Sequence, residues 1–507
     1  MASARAQLAP ADLIRTSSRI SIITWRIGSR PDSEHRDARS ISPGLRSRNE
    51  FPIVLSLMGA LYMSRFGLFS VRVTLISVLF ISPVFAQTAV MKQFSQFSGG
   101  GQGLYWVPSS GPVSHTAFLA IHRTGDFLSH VSTQELPRRG FSVLGMNSRF
   151  KNNEASVNWE LIALDVRAGV RFLRSQPGIT KVILIGHSGG GPTTSYYQAV
   201  AENGPSYCQG ANKLSQCSSS QLSGFLPTDR ADGIVFMDAH PGNTVNGLRS
   251  LNAAVSSENN PRQLNTALNP FDEKNGFDPN PQGDSVYSSA FVQRYTDTQS
   301  QRMNDLIAAA QQMQDDIASG KSLPTDNDAF IVYHDSARLS DFSTGVWKGT
   351  LHPAKLLKNN GTIDATQAVN TVRVPDGPGN RDTDSQLSGG LFLNLTSFLS
   401  ANSIRSTNSL TGIDWCSSNN STPCAVSHLS PSLPVLVLSM QGHYFIRDGE
   451  QIFEMSTSSD KDYVVIEGAT HGLGPCTACS ALHGGADYSN ARTNLFNYVR
   501  DWANARF

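Results

Sequence analysis

Hydrophobic and polar positions along this chain fall into two regimes. In the first, short unbroken apolar runs alternate with segments in which apolar residues recur every three or four positions. HTAFLAIHRTGD (115–126) holds one run, which ends in a polar loop at Arg123-Thr124-Gly125. GFSVLGMNSR (140–149), KVILIGH (181–187), DGIVFMDAHPG (232–242), LPVLVLSM (433–440) and DYVVIEGATHG (462–472) hold the others. Such runs suit strands covered on both faces, as in a parallel sheet. Between Ala155 and Gln176, Val157, Leu161, Leu164, Ala168 and Phe172 repeat at helical spacing, and Pro177-Gly178 marks the stop. A closing helical pattern carries Leu495, Val499 and Trp502. Strands alternating with helices predict parallel βαβ units, hence an α/β fold with a mostly parallel sheet flanked by helices.

The second regime runs over 243–432. It is polar and rich in Asn, Ser, Asp and Gln; in one helical piece Met303, Leu306, Ala310, Met313 and Ile317 share a face, and Gly320 follows. A structureless loop of this length does not suit a compact domain, so the interval is expected to be an inserted cap with a small core of its own. The domain layout is then 87–242 and 433–507 as two parts of one sheet domain, with the helical and irregular cap between two late strands.

Upstream the pattern changes again. Residues 1 to about 50 are rich in Arg and Ser without apolar periodicity, and 1–62 read as disordered or as an extension ahead of the working start. Asp12, Asp32, Glu34 and Asp37 speak against a transit peptide. From Met63, the basic flank Arg65 and Arg72, the apolar stretch Val73–Phe85 and the ending Val84-Phe85-Ala86 have the anatomy of a signal peptide, 63–86. The expected protein is secreted and starts at Gln87, with no stable membrane insertion after cleavage; the alternative is a membrane anchor through the same segment.

Composition narrows the classes. A hydrophobic content of 39%, a charged content of 16% and a net charge of +1 fit a globular protein and give no electrostatic basis for binding nucleic acid. Six cysteines in an exported chain suggest disulfides, and their spacing suggests local pairs: Cys208 with Cys217, Cys416 with Cys424, Cys476 with Cys479. Sequons at Asn360, Asn394 and the overlapping Asn419/Asn420 would be surface glycosylation sites.

The chemistry centres on Gly186-His187-Ser188-Gly189-Gly190, where an apolar strand breaks into a glycine-rich turn before a helix. A free serine hydroxyl is a poor nucleophile; it needs a base within hydrogen-bond reach and a third group to hold that base. The motif in this setting resembles the nucleophile elbow of the α/β-hydrolase superfamily, and the likeness covers roughly residues 100–242 and 430–507, the insertion excepted. The resemblance implies Ser188 as nucleophile and His471, just after the last strand, as its base. It also implies an oxyanion hole from the backbone N–H of Gly189 and of the loop at Arg123-Thr124, Thr124 being the donor expected.

The acid departs from the family pattern. The resemblance places it a few residues after the strand at 433–440, where this sequence has Gln441-Gly442-His443-Tyr444 and no carboxylate before Asp448 and Glu450. Asp238, directly at the end of the preceding strand, is the preferred acid; Glu450 is the main alternative, then Asp448 or Glu454. A turn cap is the structural reading of Asp238. Cys476, Cys479, His471 and His483 could be drawn as a zinc site, but a short disulfide beside the histidine loop suits an exported chain better, and no cofactor or metal is expected. The expected function is a secreted serine hydrolase acting on a small-molecule ester or lactone. Acyl transfer or thioester cleavage on the same triad is the alternative within catalysis. A catalytically silent binding protein is the alternative outside it, favoured only by the displaced acid.

Overall fold

The unbroken apolar runs become the middle of one sheet. The structure, a computed structural model, describes residues 88–280, 283–322, 326–333, 336–375 and 390–507; the expected signal peptide and all residues upstream lie outside them. The described residues fall in one unit, Ser82–Phe507. Ten strands build the sheet: β1 (Ala89–Gln96), β2 (Gln102–Pro108), β3 (Thr116–His122), β4 (Ser142–Asn147), β5 (Lys181–His187), β6 (Gly233–Met237), β7 (Lys355–Leu357), β8 (Ile363–Asp364), β9 (Val435–Met440) and β10 (Lys461–Ile466). Their order is β1-β2-β4-β3-β5-β6-β9-β10-β7-β8. Every pairing from β4 to β7 is parallel, while β1, β2 and β8 run antiparallel to their neighbours. The crossover helices are α1 (Trp159–Arg174) after β4 and α2 (Gly190–Asn203) after β5. The insertion carries α3 (Asn243–Ser250) and α4 (Ser289–Ala318); α5 (Ile446–Met455) follows β9 and α6 (Ala491–Asn504) follows β10. One apolar cluster lies between the sheet and α1, α2 and α5, and a second between the sheet and α6, so helices cover both faces. This strand order with helices on both faces is the α/β-hydrolase fold that the resemblance implies.

Two details differ from the sequence pattern. Besides Trp159 and Asp165, the buried α1 residues are Ile162, Ala163, Val166, Gly169, Val170 and Leu173, one position away from the expected stripe, whose Leu161, Leu164 and Phe172 are only partly covered. Small residues decide this: a Cβ on Gly169 would come within 2.8 Å of Met146 Sδ, so the helix settles on the side that approaches closest. Phe172 is left at the margin, edge-on to Phe97 and Tyr105. The hairpin β1–β2 is the second difference, because Val90, Met91 and Phe94 stand exposed at the sheet edge and give no run of buried positions.

The interval 243–432 is less self-contained than its composition suggests. It does hold two apolar clusters, one around Leu306, Phe330 and Phe398 and one around Phe291, Tyr295 and Phe342. α4 presents the expected face, with Met303, Leu306 and Ala310 buried, and Ser288 caps it through the Phe291 N–H. Yet β7 pairs parallel with β10 and extends the main sheet, and Ala401, Ala425 and Val426 join its core. Among the described residues no helix is long and apolar enough to cross a membrane.

Candidate active site

β5 delivers Ser188 at its C-terminal end. Ser188 has φ 54, a left-handed conformation that a non-glycine residue holds at a cost of about 1–3 kcal/mol unless its surroundings impose it. Here they do. The Ser188 N–H donates to the Met237 carbonyl at the end of β6 (3.3 Å), and the Ser188 carbonyl accepts from Gly191 N–H (3.0 Å) and His240 N–H (3.3 Å). The turn can be this tight because Gly190 lies against β3: a Cβ there would stand 2.5 Å from the Ile121 carbonyl oxygen.

The structure brings Ser188, His471 and Asp238 together. His471 Nε2 is 3.0 Å from Ser188 Oγ, and His471 Nδ1 is 2.6 Å from Asp238 Oδ2. Asp238, 1% exposed, is also left-handed, with φ 44. Its N–H donates to the Leu438 carbonyl of β9 (2.6 Å), and its Oδ1 accepts from the Met440 N–H (3.1 Å). The residue is thus fixed by β9, the strand beside it. Burial alone would raise its pKa; His443 and His471 outweigh burial and hold the carboxyl well below the usual carboxylate range.

The other carboxylates are engaged elsewhere. Glu450 accepts from two successive backbone N–H groups, Leu351 (2.8 Å) and His352 (2.9 Å), and pairs with Arg447. Asp448 binds Arg249 Nη1 at 2.7 Å, and Glu454 lies 3.6 Å from His352 Nε2. None of the three contacts His471. The Thr124 N–H is turned away as well: it donates to His122 Nδ1 (3.0 Å), as does the Gly125 N–H (2.6 Å). The Gly189 N–H makes no hydrogen bond among the described residues.

Several site residues carry no motif of their own in the sequence. His443, in the place where the resemblance leads one to look for an acid, brings Nδ1 to 2.7 Å from Asp238 Oδ2, out of line for a hydrogen bond, and stacks on the His471 ring (centroids 4.4 Å apart). Burial outweighs the attraction of Asp238 and lowers the His443 pKa. A second line of histidines runs from the other side. His187 Nε2 donates to the His471 carbonyl (2.8 Å), His187 Nδ1 lies 3.0 Å from His130 Nε2, and His130 Nδ1 lies 2.7 Å from Ser132 Oγ. A carbonyl can only accept, so neutral His187 carries its proton on Nε2 and accepts from His130, which in turn accepts from Ser132. Burial lowers the pKa of both rings, that of His130 to about 3. The sequence signal for His187 was adjacency to Ser188; for His130 there was none.

All three expected cysteine pairs are bonded: Cys208–Cys217, Cys416–Cys424 and Cys476–Cys479. The last lies behind the site, since a Cβ on Gly442 would stand 3.1 Å from Cys479 Sγ, and the Gly442 N–H donates to the Ala469 carbonyl (2.7 Å) in the His471 loop. His483 turns away from it to Val372 O (3.2 Å). Asp238, His443 and His471 would be the natural ligand set for a metal, their donor atoms lying within 4.8 Å of one another. Two N···O separations of 2.6 and 2.7 Å are, however, shorter than the roughly 3.3 Å between ligands around a tetrahedral zinc. Of the sequons, Asn360 is exposed, whereas Asn419 and Asn420 are buried, with their Nδ2 groups donating to Ser215 O (2.9 Å) and Ala401 O (2.7 Å). Packing around Trp159 and the Cys416–Cys424 segment therefore removes that pair as a surface site.

No protein-family model and no curated protein matches this sequence. Among solved structures the chain is similar to a soluble variant of monoglyceride lipase from Saccharomyces cerevisiae in complex with a substrate analogue: 12% identity over 84% of this chain and 98% of that one, TM-score 0.36. It is similar to a thermostable carboxyl esterase from Bacillus coagulans (10%, 83% and 99%, TM-score 0.35) and to a proline iminopeptidase from Mycobacterium smegmatis (12%, 82% and 99%, TM-score 0.33). Likeness this distant carries no argument about activity, and the fold rests on the strand order itself.

Proposed function

We propose that this chain, with its α/β-hydrolase fold, is a serine hydrolase that cleaves a carboxylic ester or lactone through an acyl-enzyme. The observation that carries the reading is the continuous contact Ser188 Oγ–His471 Nε2–Asp238, at 3.0 and 2.6 Å. In the first step Ser188 Oγ bonds to the substrate carbonyl carbon while its proton passes to His471 Nε2. Asp238, ionised far below neutral pH, holds His471 in the tautomer with a proton on Nδ1 and stabilises the imidazolium that forms. The imidazolium then protonates the departing alkoxide, and water repeats the sequence in reverse to release the acid. The displaced acid favoured a silent binding protein in the sequence; a carboxylate 2.6 Å from the histidine supports catalysis instead.

The test is labelling by a fluorophosphonate, followed by turnover of a panel of p-nitrophenyl esters and lactones. Labelling that disappears in Ser188→Ala is the expected result; equal labelling of both proteins sinks the reading. Export belongs to the same proposal and is supported by the three disulfides, which persist in oxidising compartments. Secreted protein is expected to begin near Gln87 and to show no titratable thiol; an intact N-terminus or six free thiols would reverse it.

A further inference from the structure

An acyl-transfer site needs donors for the negative charge that develops on the carbonyl oxygen, and two are usual. Gly189 offers its N–H. The loop after β3 would offer the second, but the N–H groups of Thr124 and Gly125 are both spent on His122 Nδ1. That arrangement has a consequence for the ring. With Nδ1 accepting, the proton of neutral His122 sits on Nε2, and Nε2 makes no hydrogen bond among the described residues. Burial first, then the charge of Arg123, keeps the ring neutral by pushing its pKa well below the ordinary value.

Arg123 is anchored on two of its three nitrogens. Nε donates to both oxygens of Glu154 (3.2 and 3.1 Å), and Nη2 donates to Asn243 Oδ1 (2.7 Å). Glu154 is itself held by the Thr124 hydroxyl and by Asn243 Nδ2, each at 3.1 Å. The residue is 8% exposed, and Nη1 is buried without a hydrogen-bond partner. Buried donors are nearly always paired, so a spare one held this firmly calls for an acceptor that comes and goes. Its direction is given by Gly189: a Cβ on that residue would collide with Arg123 Nη1 and come within 2.5 Å of His122 Nε2. Both spare donors therefore press against the backbone of the residue that follows the nucleophile, and glycine at 189 is what lets them approach.

We propose that Arg123 Nη1, assisted by His122 Nε2, is the second oxyanion donor of this site, a side chain standing where a loop amide would serve. A guanidinium hydrogen bond to an anion is charge-assisted and about twice as strong as a neutral one. Because Glu154 balances the positive charge beforehand, the group is oriented at no cost during the reaction, and it gains most when the substrate oxygen becomes an alkoxide. Asn243 is the first residue of α3, so the insertion helps to aim the donor.

This proposal rests on the serine-hydrolase reading, and the two fail differently. If wild-type protein takes no fluorophosphonate and turns over no ester, the reading fails and Arg123 falls with it. With wild-type turnover in hand, Arg123→Met is expected to lower kcat by about 10²–10³-fold, the loss seen when one oxyanion donor is removed, with KM within threefold. Affinity for phenylboronic acid, whose serine adduct is tetrahedral and anionic, should fall by a similar factor. A kcat within threefold of wild type, a loss confined to KM, or an unchanged boronate affinity beside a reduced kcat would overturn the assignment. Should Arg123→Met not fold, Arg123→Lys serves: it keeps the charge beside Glu154 but cannot reach Glu154, Asn243 and Gly189 together. At least a tenfold lower kcat is expected from it, and wild-type kcat would overturn the proposal.

Discussion

Asp238 and Glu450 are both buried carboxylates, and from the sequence both are candidates for one role. Their surroundings set them apart. Glu450 faces donors whose charge never changes: two backbone amides and a guanidinium, which tie α5 to the segment just before β7. Asp238 faces two imidazoles, one of them 3.0 Å from a serine hydroxyl. A carboxylate against fixed donors holds a structure together; a carboxylate against a titratable ring can respond when that ring gains a proton. Burial is common to both and distinguishes neither.

The largest expected effect tests whether the Asp238 corner works at all. Ser188→Ala and His471→Ala should each cost about a million-fold in kcat while thermal melts stay near wild type. A tenth of the wild-type rate in either variant would mean that the chemistry lies elsewhere. Next comes Asp238→Asn, which keeps shape but leaves His471 in the wrong tautomer. About four orders of magnitude in kcat should go.

Glu450→Gln sharpens the comparison from the other side. Its kcat should remain within tenfold of wild type, but one amide oxygen cannot replace a carboxylate that takes two N–H bonds and an Arg. A stability loss of about 2–3 kcal/mol in urea unfolding is expected. If Asp238→Asn proved the less active of the two by less than tenfold, or Glu450→Gln left stability unchanged, the division of roles would be wrong.

The smallest effect per step is in the pH dependence of stability, and here the histidines and Asp238 separate. His122, His130, His187 and His240 all have folded pKa values pushed below the ordinary 6.5, chiefly by burial. Below pH 6.5 the unfolded chain binds protons that the folded one refuses, so stability must fall as pH falls. Each such ring adds a slope of about 1.4 kcal/mol per pH unit, and His130 sustains it down to about pH 3. Asp238 shifts in the same direction but in a lower pH window. Its contribution is present above the ordinary carboxylate pKa and is lost only as pH drops further through its depressed folded value. Stability curves measured between pH 4 and 7 should therefore flatten in His130→Gln and keep their slope in Asp238→Asn.

What could be read in the sequence was whatever one segment carries by itself. β3, β4, β5, β6, β9 and β10 are buried on both faces and show as apolar runs. Ser188 stood out because glycines follow a run of Val and Ile, and Asp238 because a carboxylate ends a strand. The edge hairpin β1–β2 and the short β7–β8 leave no such run. The insertion read as a cap with its own core because its composition is polar, although two of its strands, β7 and β8, extend the sheet. The sequence pointed to the Arg123-Thr124 loop only for a backbone donor; the contact of the Arg123 side chain with Asn243, 120 positions away, exists only in the fold. His443 looked like a missing acid until its ring was seen lying on His471.

The left-handed backbone at Ser188 has one more consequence. With φ 54, glycine or asparagine would sit at that position more comfortably than serine. A library randomised at 188 and selected for resistance to heat or protease, blind to turnover, should drift toward those two residues. The same library selected for ester cleavage should return to serine alone. Position 188 would then read as the place where selection for durability and selection for chemistry demand different letters.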